Sequence, residues 1–267
     1  MGAARDHPPA AALRAPAPLS RSGRSRSPWC GGPGGCRTSR PWGRVRRSRP
    51  GCPDGDPVVV GTGARTVTVE VTATDPTGLE QIDARLYHGS YEAPDAAVTP
   101  AAACGATADT GTTCTLTFTL TPGTAPATDA QAGAWSVSAY AIGRDGDAEF
   151  LNSAAAFSVQ RETQVSMAAA PKRVRRGRTV TVTGATTDSA WATGTSVPGA
   201  AGRPVELQFR PRGGSRFCTV KTVRTAADGT LSTTVRAYDD GSYRWSAAGT
   251  ETTAAAVSPD AFVDVTG

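Results

Sequence analysis

The sequence predicts an all-β protein made of two successive β-sandwiches, and two kinds of observation lead to this prediction. First, the chain repeats itself: residues 65–69 (RTVTV) recur as residues 178–182, and residues 133–139 are echoed by residues 241–247. Both spacings are roughly 110 residues, which indicates a duplicated module. Second, apolar residues alternate with threonine and other polar residues in both copies, and this is the pattern of a half-buried strand.

We therefore predict three segments: a disordered tail over residues 1–55, a first sandwich over residues 56–160 and a second over residues 163–267. A module of about 100 residues has the size of an immunoglobulin-like β-sandwich. Residues 161–163 are a very short connection, so we expect the two modules to lie end to end with limited freedom.

In the first module, strand patterns follow one another between turns that contain proline, glycine or aspartate. Val67, Val69 and Val71 alternate with threonine and glutamate, and the turn at residues 75–78 combines a proline with a glycine. Further strands are predicted over residues 58–60, 82–87, 116–120, 135–142 and 154–159.

The second module shows the same succession. Val205, Leu207 and Phe209 alternate with polar residues, and the Asp-Gly pairs at residues 228–229 and 240–241 are signals for tight turns. Further strands are predicted from residue 165 and over residues 178–182, 217–223, 231–235, 243–247 and 262–265. No stretch longer than ten residues has a persuasive helical period.

Residues 1–55 differ from the rest of the chain in composition. They hold eleven arginines and two acidic residues, a net charge of +9, whereas residues 56–267 hold seventeen basic and twenty-one acidic residues, a net charge of −4. A tail rich in proline and glycine and poor in branched apolar residues cannot bury enough surface to fold, so we predict disorder. The mildly acidic remainder lacks the basic surface of a nucleic-acid-binding protein.

The tail has three interpretations. It is an arginine-rich arm that holds phosphates, a segment without a selected role, or the translation of GC-rich DNA in the wrong frame or from too early a start. The abrupt change of composition near Asp54 motivates the third.

No apolar run of a secretory signal follows the basic start, and nothing approaches the roughly 20 apolar residues of a membrane span. Taken literally the chain is cytoplasmic, whereas its modules indicate a secreted or cell-surface protein.

A cysteine pair supports export. Cys104 and Cys114 flank a short polar loop within the first module, and we predict a disulfide between them. By the chain-entropy estimate this bridge contributes about 3 kcal/mol. Disulfides persist in oxidising compartments.

The other cysteines receive no such role. Cys30, Cys36 and Cys52 lie in the tail, without a histidine or a second cysteine pair at zinc-binding spacing. Cys218 is unpaired within its module. We predict a half-buried strand residue there, because it alternates with its neighbours and has no adjacent base to make the thiol reactive.

Several segments carry a resemblance to a known family. In the second module they are residues 171–184, 202–210, 227–231 and 241–250. In this order and spacing they resemble a bacterial immunoglobulin-like domain of exported actinobacterial proteins. The first module resembles the domain that precedes it there, on residues 86–90, residues 144–147 and the Cys104/Cys114 pair. The resemblance implies two tandem immunoglobulin-like sandwiches and export, but no chemistry, since that group has no settled activity.

The sequence holds no evident catalytic set, and we predict that the protein is not an enzyme. Its two histidines are His7, in the tail, and His88, in a strand. A catalytic triad would need His88 with Ser90 or a distant serine and an acid that the sequence does not place. A strand histidine without a catalytic role is the simpler interpretation. No nucleophile elbow, phosphate loop or zinc ligand set is present in the sequence.

Calcium is the best-motivated ligand, and we otherwise expect no cofactor. Asp145, Asp147 and Glu149 alternate in a turn, and a hard cation prefers a cluster of carboxylate oxygens. Asp54 and Asp56 could approach from another loop. Because the ordered ligand run of an EF-hand is not met, a solvated acidic turn is the competing interpretation.

Trp191 is the candidate for glycan binding. It lies in a polar, threonine-rich loop and is predicted to be the most exposed of the large aromatic residues. Trp135 and Trp245 occupy nearly the same place in the two copies, which is typical of core residues. Packing within the core or against the loop is the competing interpretation for Trp191.

A basic run at residues 172–178 has two interpretations as well. It contacts an anionic envelope polymer or a membrane surface, or it is a solvated turn and edge strand that charge protects against edge-to-edge pairing.

We predict a non-enzymatic exported protein with a structural, adhesion or ligand-binding role at the cell surface. The alternative is a carbohydrate- or calcium-binding module. We expect a cell-envelope polymer or protein as the partner, and neither nucleic acid nor a membrane span.

Overall fold

The computed structural model describes residues 56–267 and the backbone of residues 45–48. All of these residues lie in one compact unit. Within this described part, regular structure consists of nineteen β-strands and one short 3-10 helix, Asp129–Gln131. The prediction of an all-β fold of the β-sandwich type is therefore confirmed.

Eight strands form the two sheets of the first sandwich. They are β1 (Val45–Ser48), β2 (Val58–Val60), β3 (Arg65–Thr74), β4 (Leu79–Gly89), β5 (Pro94–Val98), β6 (Gly111–Leu120), β7 (Gly133–Gly143) and β8 (Ala148–Arg161). One sheet has the order β1-β3-β6 and the other the order β2-β8-β7-β4-β5. Strands β2 and β8 run parallel, with Val58 opposite Val159, and the other neighbours run antiparallel.

Strand β1 lies inside the segment that we predicted to be disordered. It pairs with β3, Val45 opposite Val71 and Ser48 opposite Thr68. A sheet edge offers N–H and C=O groups to any extended backbone, so composition does not reveal such a pairing. The prediction of disorder is wrong for Val45–Ser48. The rest of residues 1–55, including its three cysteines, His7 and Asp54, lies outside the described residues.

Eleven strands form the second sandwich. They are β9 (Thr163–Val165), β10 (Ala168–Ala170), β11 (Arg173–Arg175), β12 (Thr179–Ala190), β13 (Thr195–Pro198), β14 (Pro204–Pro211), β15 (Cys218–Arg224), β16 (Thr230–Arg236), β17 (Gly241–Ala247), β18 (Ala256–Val257) and β19 (Ala261–Thr266). In one sheet, β12 pairs with β9, β10, β13 and β16; the other has the order β11-β19-β17-β14-β15, with β18 on β17.

The repeated sequences occupy equivalent strands. The first echo lies on β3 and at the start of β12. Strand β3 pairs antiparallel with β6, and β12 pairs in the same way with β16. Each of these partners follows a hairpin at the edge of the other sheet, β4–β5 or β14–β15. The second echo lies on β7 and β17, and each of these pairs with a central strand of the larger sheet, β4 or β14. A parallel pair closes the same sheet in both sandwiches, β2 with β8 and β11 with β19.

Each sandwich encloses its own hydrophobic cluster. Strand β3 buries Val67, Val69 and Val71 and leaves the residues between them half-exposed, as the alternation predicts. Trp135 and Trp245 are fully buried. Each indole N–H donates to a backbone carbonyl, that of Gln131 at 2.8 Å and that of Thr183 at 3.1 Å. Such a ring removes roughly 150–250 Å² of surface from water, so the two tryptophans are major parts of the two cores.

Candidate functional site

The most elaborate polar arrangement of the molecule lies where the two sandwiches meet. Only Glu162 separates β8 from β9. Its N–H donates to the carbonyl of Val60, in the first sandwich, at 3.0 Å, and its own carbonyl accepts from the N–H of Ser189, in the second, at 2.9 Å. Because both backbone groups of the linker residue are bonded, one to each sandwich, the connection has little rotational freedom.

Trp191 crosses the junction. It follows β12, in the second sandwich, yet its side chain is fully buried in the hydrophobic cluster of the first sandwich. The indole N–H donates to the carbonyl of Val60 at 3.1 Å, a contact between residues 131 positions apart in sequence. The predicted exposure of Trp191 is therefore wrong. A ring without exposed surface cannot offer a face to a glycan, and the competing interpretation, packing in a core, describes it.

Asp129 binds one residue of each sandwich, Trp191 of the second and Arg161 of the first. One carboxylate oxygen accepts the backbone N–H of Trp191 at 2.7 Å, and the other accepts Nη1 of Arg161 at 2.9 Å. Nη1 of Arg161 also donates to the carbonyl of Ser189 at 3.3 Å. Hydrogen bonds to charged groups are roughly twice as strong as neutral ones, so this carboxylate fixes the loop that carries Trp191 against the end of β8.

The β17–β18 connection of the second sandwich continues the contact. The N–H of Arg161 donates to the carbonyl of Thr252 at 2.9 Å, and the carbonyl of Arg161 accepts from Ala254 at 2.9 Å. The side-chain amide of Gln160 donates to the carbonyl of Thr250 at 2.6 Å. The second sandwich thus adds a short parallel pairing to the end of β8, between Arg161 and Thr253.

A buried ion pair supports that connection from within the second sandwich. Nη1 of Arg203 lies 3.5 Å from the carboxylate of Asp188, and the Asp188 carboxylate also accepts the hydroxyl of Thr163 at 2.6 Å. Nη2 of Arg203 donates to the carbonyls of Ala248 and Ala254, at 2.5 and 3.4 Å. Since both charged side chains are more than nine-tenths buried, removing one partner would leave an uncompensated buried charge.

An open cleft of 620 Å³ lies beside the junction. Strands β7 and β8 line it with alanine, glycine, serine and Phe157, and the second sandwich contributes Glu251 and Thr252. Glu251 is the one charged residue in this lining. The lining thus offers a single carboxylate and the hydroxyl-bearing residues Ser158 and Thr252 among small and apolar residues.

The carboxylates predicted to bind calcium are not assembled into a site. Asp145 and Asp147 are exposed in the β7–β8 turn, and one Asp145 oxygen accepts the N–H of Asp147 at 3.1 Å. Glu149 is half-buried on β8. Within residues 56–267, no three acidic, histidine or cysteine side chains come close enough together to hold a metal ion.

The disulfide between Cys104 and Cys114 is confirmed. It links the segment before β6 to that strand, where Cys114 is buried in the first core. Cys218 is a free thiol and is exposed, so the prediction of a half-buried residue is wrong. It lies on β15, an edge strand with exposed residues at almost every position, and alternation with Phe217 does not bury it there.

The remaining candidates from the sequence are His88 and the basic run at residues 172–178. Nδ1 of His88 lies 2.7 Å from a carboxylate oxygen of Asp95, and its ring packs near Trp135. No hydroxyl or thiol is hydrogen-bonded to His88 in the described part of the chain. The arginines of residues 172–178 are exposed on β11 and the turn after it.

Among residues 56–267, four groups have a shifted pKa, and each shift has a local cause. Burial, and to a lesser degree Asp239, raises the pKa of Tyr243. Burial, followed by Asp83, raises that of Tyr140. Hydrogen bonds lower the pKa of two exposed carboxyls: Thr219 and then Gln208 act on Glu206, and the side chain and backbone of Thr230 act on Asp228.

Sequence reasoning missed the residues that build the junction, namely Asp129, Arg161, Asp188 and Arg203. Arg161 stood in the sequence as part of a short connection. Asp129 lies in a polar segment between strands, and no local pattern distinguishes it from a solvated loop residue. The signal that could have found them was the short connection predicted at residues 161–163, because two sandwiches joined so closely must bury surface between their ends.

Comparison with known proteins gives structural neighbours only. No protein-family model matches the chain, and no curated protein matches it. Fibronectin(III)-like modules of Clostridium thermocellum CbhA align at a TM-score of 0.33 and 15% identity, over 83% of this chain and 94% of that chain.

Two further solved structures align at lower TM-scores. The D00-D0 domain of intimin aligns at a TM-score of 0.26 and 14% identity, over 82% of this chain and 98% of that chain. The adhesin InvE of Yersinia pseudotuberculosis aligns at 0.26 and 17%, over 78% and 56%. The fold class rests on the strand pairing described above, and none of these likenesses assigns a function. Within the described residues, no helix is long and apolar enough to span a membrane.

Proposed function

We propose that this chain is a non-enzymatic structural module, a rigid spacer displayed outside the cell. The junction carries the proposal. Trp191 of the second sandwich completes the core of the first, and Asp129 binds both Trp191 and Arg161. A pair of sandwiches held at one fixed angle transmits distance and orientation along a surface structure, and that is the task of a spacer.

Two further observations support the proposal. The Cys104–Cys114 disulfide favours an oxidising compartment and therefore export. The junction contacts join one sandwich to the other, and Asp129, Arg161 and Trp191 do not line the cleft beside them. Glycan binding at Trp191 gains no support, since the ring is buried.

Residual dipolar couplings of the full chain test the rigidity. We expect the couplings of both sandwiches to fit one alignment tensor. Replacing both Asp129 and Arg161 by alanine should give two tensors, because it removes the bonds that hold the Trp191 loop against the end of β8 and so loosens the junction. Arg144→Ala, an exposed arginine remote from the junction, is the matched control and should leave one tensor. Two tensors in the unaltered chain would refute the spacer.

Export is tested separately. Peptide mapping without reduction, on protein recovered from the producing cells, should yield the peptide crosslinked between Cys104 and Cys114. Recovery of both cysteines as free thiols would contradict the proposed location and leave the rigidity result standing.

A further inference from the structure

The two sandwiches carry opposite charge. Residues 56–162 hold four basic and thirteen acidic residues, a net charge of −9, and residues 163–267 hold thirteen basic and eight acidic residues, a net charge of +5. The overall charge of −4 for this part of the chain conceals the difference. Asymmetry of this size between two halves generates a field that acts on other charged surfaces.

Acidic residues gather at the end of the first sandwich that is remote from the junction. Three connections meet there: the N–H of Arg144 donates to the carbonyl of Gly78 at 3.0 Å, and that of Asp75 donates to Thr110 at 2.8 Å. We call this surface the acidic end; its charged residues are Asp75, Glu80, Asp109, Asp145, Asp147 and Arg144. Asp75 is buried and the other five are exposed. No Lys or Arg of the described chain forms an ion pair with these carboxylates.

Arginines gather at the corresponding remote end of the second sandwich. The N–H of Gly177 donates to the carbonyl of Ala237, and the N–H of Arg212 to that of Asp240, both at 2.7 Å. These bonds bring three connections together. We call this surface the basic end; its charged residues are Arg175, Arg176, Arg178, Arg212, Arg216, Arg236, Asp239 and Asp240.

The charges of the basic end are poorly compensated. Arg176 and Arg212 pair with Asp239 and Asp240 only at 3.7 and 3.6 Å, and both arginines are largely exposed. Exposed pairs of this kind are weak, because water screens the charges and the long side chains lose freedom on pairing. The other four arginines have no carboxylate within ion-pair distance in the described part of the chain. Arginine presents five N–H donors in a fork that matches carboxylates, so this surface is suited to an acidic protein surface.

We propose that copies of this chain associate head to tail, the basic end of one copy on the acidic end of the next. The basic end has six arginines and two aspartates, and the acidic end has four exposed carboxylates and one arginine. Each end therefore complements the other and repels its own kind. A contact between two different surfaces is heterologous, so repeating it gives a closed ring or an open filament of more than two copies. The inference does not depend on whether the chain acts as a spacer.

Sedimentation velocity of the full-length protein tests the association. At low ionic strength, about 20 mM salt, we expect assemblies larger than the monomer, and at about 0.5 M salt we expect monomer, because the Debye length shrinks from about 20 Å to below 5 Å. Reversing two charges at either end should abolish the assemblies. The variants are E80K/D147K for the acidic end and R178E/R216E for the basic end; all four side chains are exposed.

Mixing the two variants separates a specific contact from a general effect of charge. Each variant keeps one intact end, the basic end in E80K/D147K and the acidic end in R178E/R216E. The mixture should therefore form one-to-one dimers and nothing larger. The control K221E/R224E changes the charge as much as R178E/R216E does, on the exposed strand β15, and should assemble like the unaltered chain.

Three results would overturn the proposal. The first is a monomer at low salt. The second is assembly that persists in both charge-reversal variants. The third is loss of assembly in E80K/D147K but not in R178E/R216E, which would mean that the acidic end binds another basic part of the chain, such as residues 1–55. Matching circular dichroism spectra establish that the variants are folded.

Discussion

Trp191 shows how one side chain can belong to two structural units. Its backbone directly follows a strand of the second sandwich, and its ring lies in the first core. The indole N–H satisfies the carbonyl of Val60 at 3.1 Å, and the backbone N–H is held by Asp129. The stability of the first sandwich therefore depends on a residue that the sequence assigns to the second.

Trp191→Ala should lower the free energy of unfolding by about 3–5 kcal/mol, the usual cost of truncating a large buried aromatic residue. Hydrogen exchange locates the effect. We expect amides of β2 and β8 to lose protection, because the cavity opens in the first core. Trp245→Ala is the matched control, equally buried, and should reduce protection in β12 and β14 instead. Equal loss in both sandwiches from Trp191→Ala would contradict the placement of its ring.

At the scale of elements, a hydrogen bond between β14 and β15 lowers the pKa of the Glu206 carboxyl. The hydroxyl of Thr219, on β15, donates to the carboxylate of Glu206, on β14, at 2.8 Å, and the amide of Gln208 donates to the same oxygen at 3.0 Å. Both bonds favour the ionised form, and Thr219 is the larger cause of the lowered pKa. A pKa lowered by folding contributes stability at neutral pH, and this contribution is lost as the pH falls through the folded-state pKa.

Thr219→Val should therefore raise the pKa of Glu206 toward its ordinary value. A proton-detected titration of the Glu206 carboxyl by NMR measures the change. Thr234→Val, an exposed strand residue in the other sheet of the same sandwich, should leave the Glu206 titration unaltered. A Glu206 pKa that does not move in Thr219→Val would show that the hydroxyl is not its main determinant.

The strands could be predicted from the sequence because their signals are local. Val67, Val69 and Val71 alternate, and alternation places them on one face of β3 whatever the rest of the chain does. Cys218 alternates just as regularly, but β15 is an edge strand, and the position of a strand within a sheet depends on long-range pairing. The prediction for Trp191 was wrong for a related reason. Its contact with Val60 spans 131 residues, and no local pattern indicates in which core the ring of a loop residue will lie.

For the molecule as a whole, the junction couples two cores that the sequence presents as separate. The two hydrophobic clusters share no residue, yet Trp191, Arg161 and the connection around Thr252 each tie one sandwich to the other. Unfolding one sandwich alone would expose the Trp191 ring or strip the partners from Arg161. Units coupled in this way unfold together when the coupling exceeds the difference between their own stabilities.

The full chain should consequently unfold in one cooperative transition. Differential scanning calorimetry should give a calorimetric enthalpy equal to the van't Hoff enthalpy for the unaltered protein, the criterion of two-state behaviour. In the variant with Asp129 and Arg161 both replaced by alanine, the loop that carries Trp191 loses its side-chain anchor to the first sandwich. The coupling between the two cores is then weaker, and the same scan should separate into two transitions. Arg144→Ala, which removes an exposed charge far from the junction, should retain a single transition. Two resolved transitions in the unaltered chain would contradict this prediction. They would mean that the coupling free energy of the junction is smaller than the difference in stability between the two sandwiches.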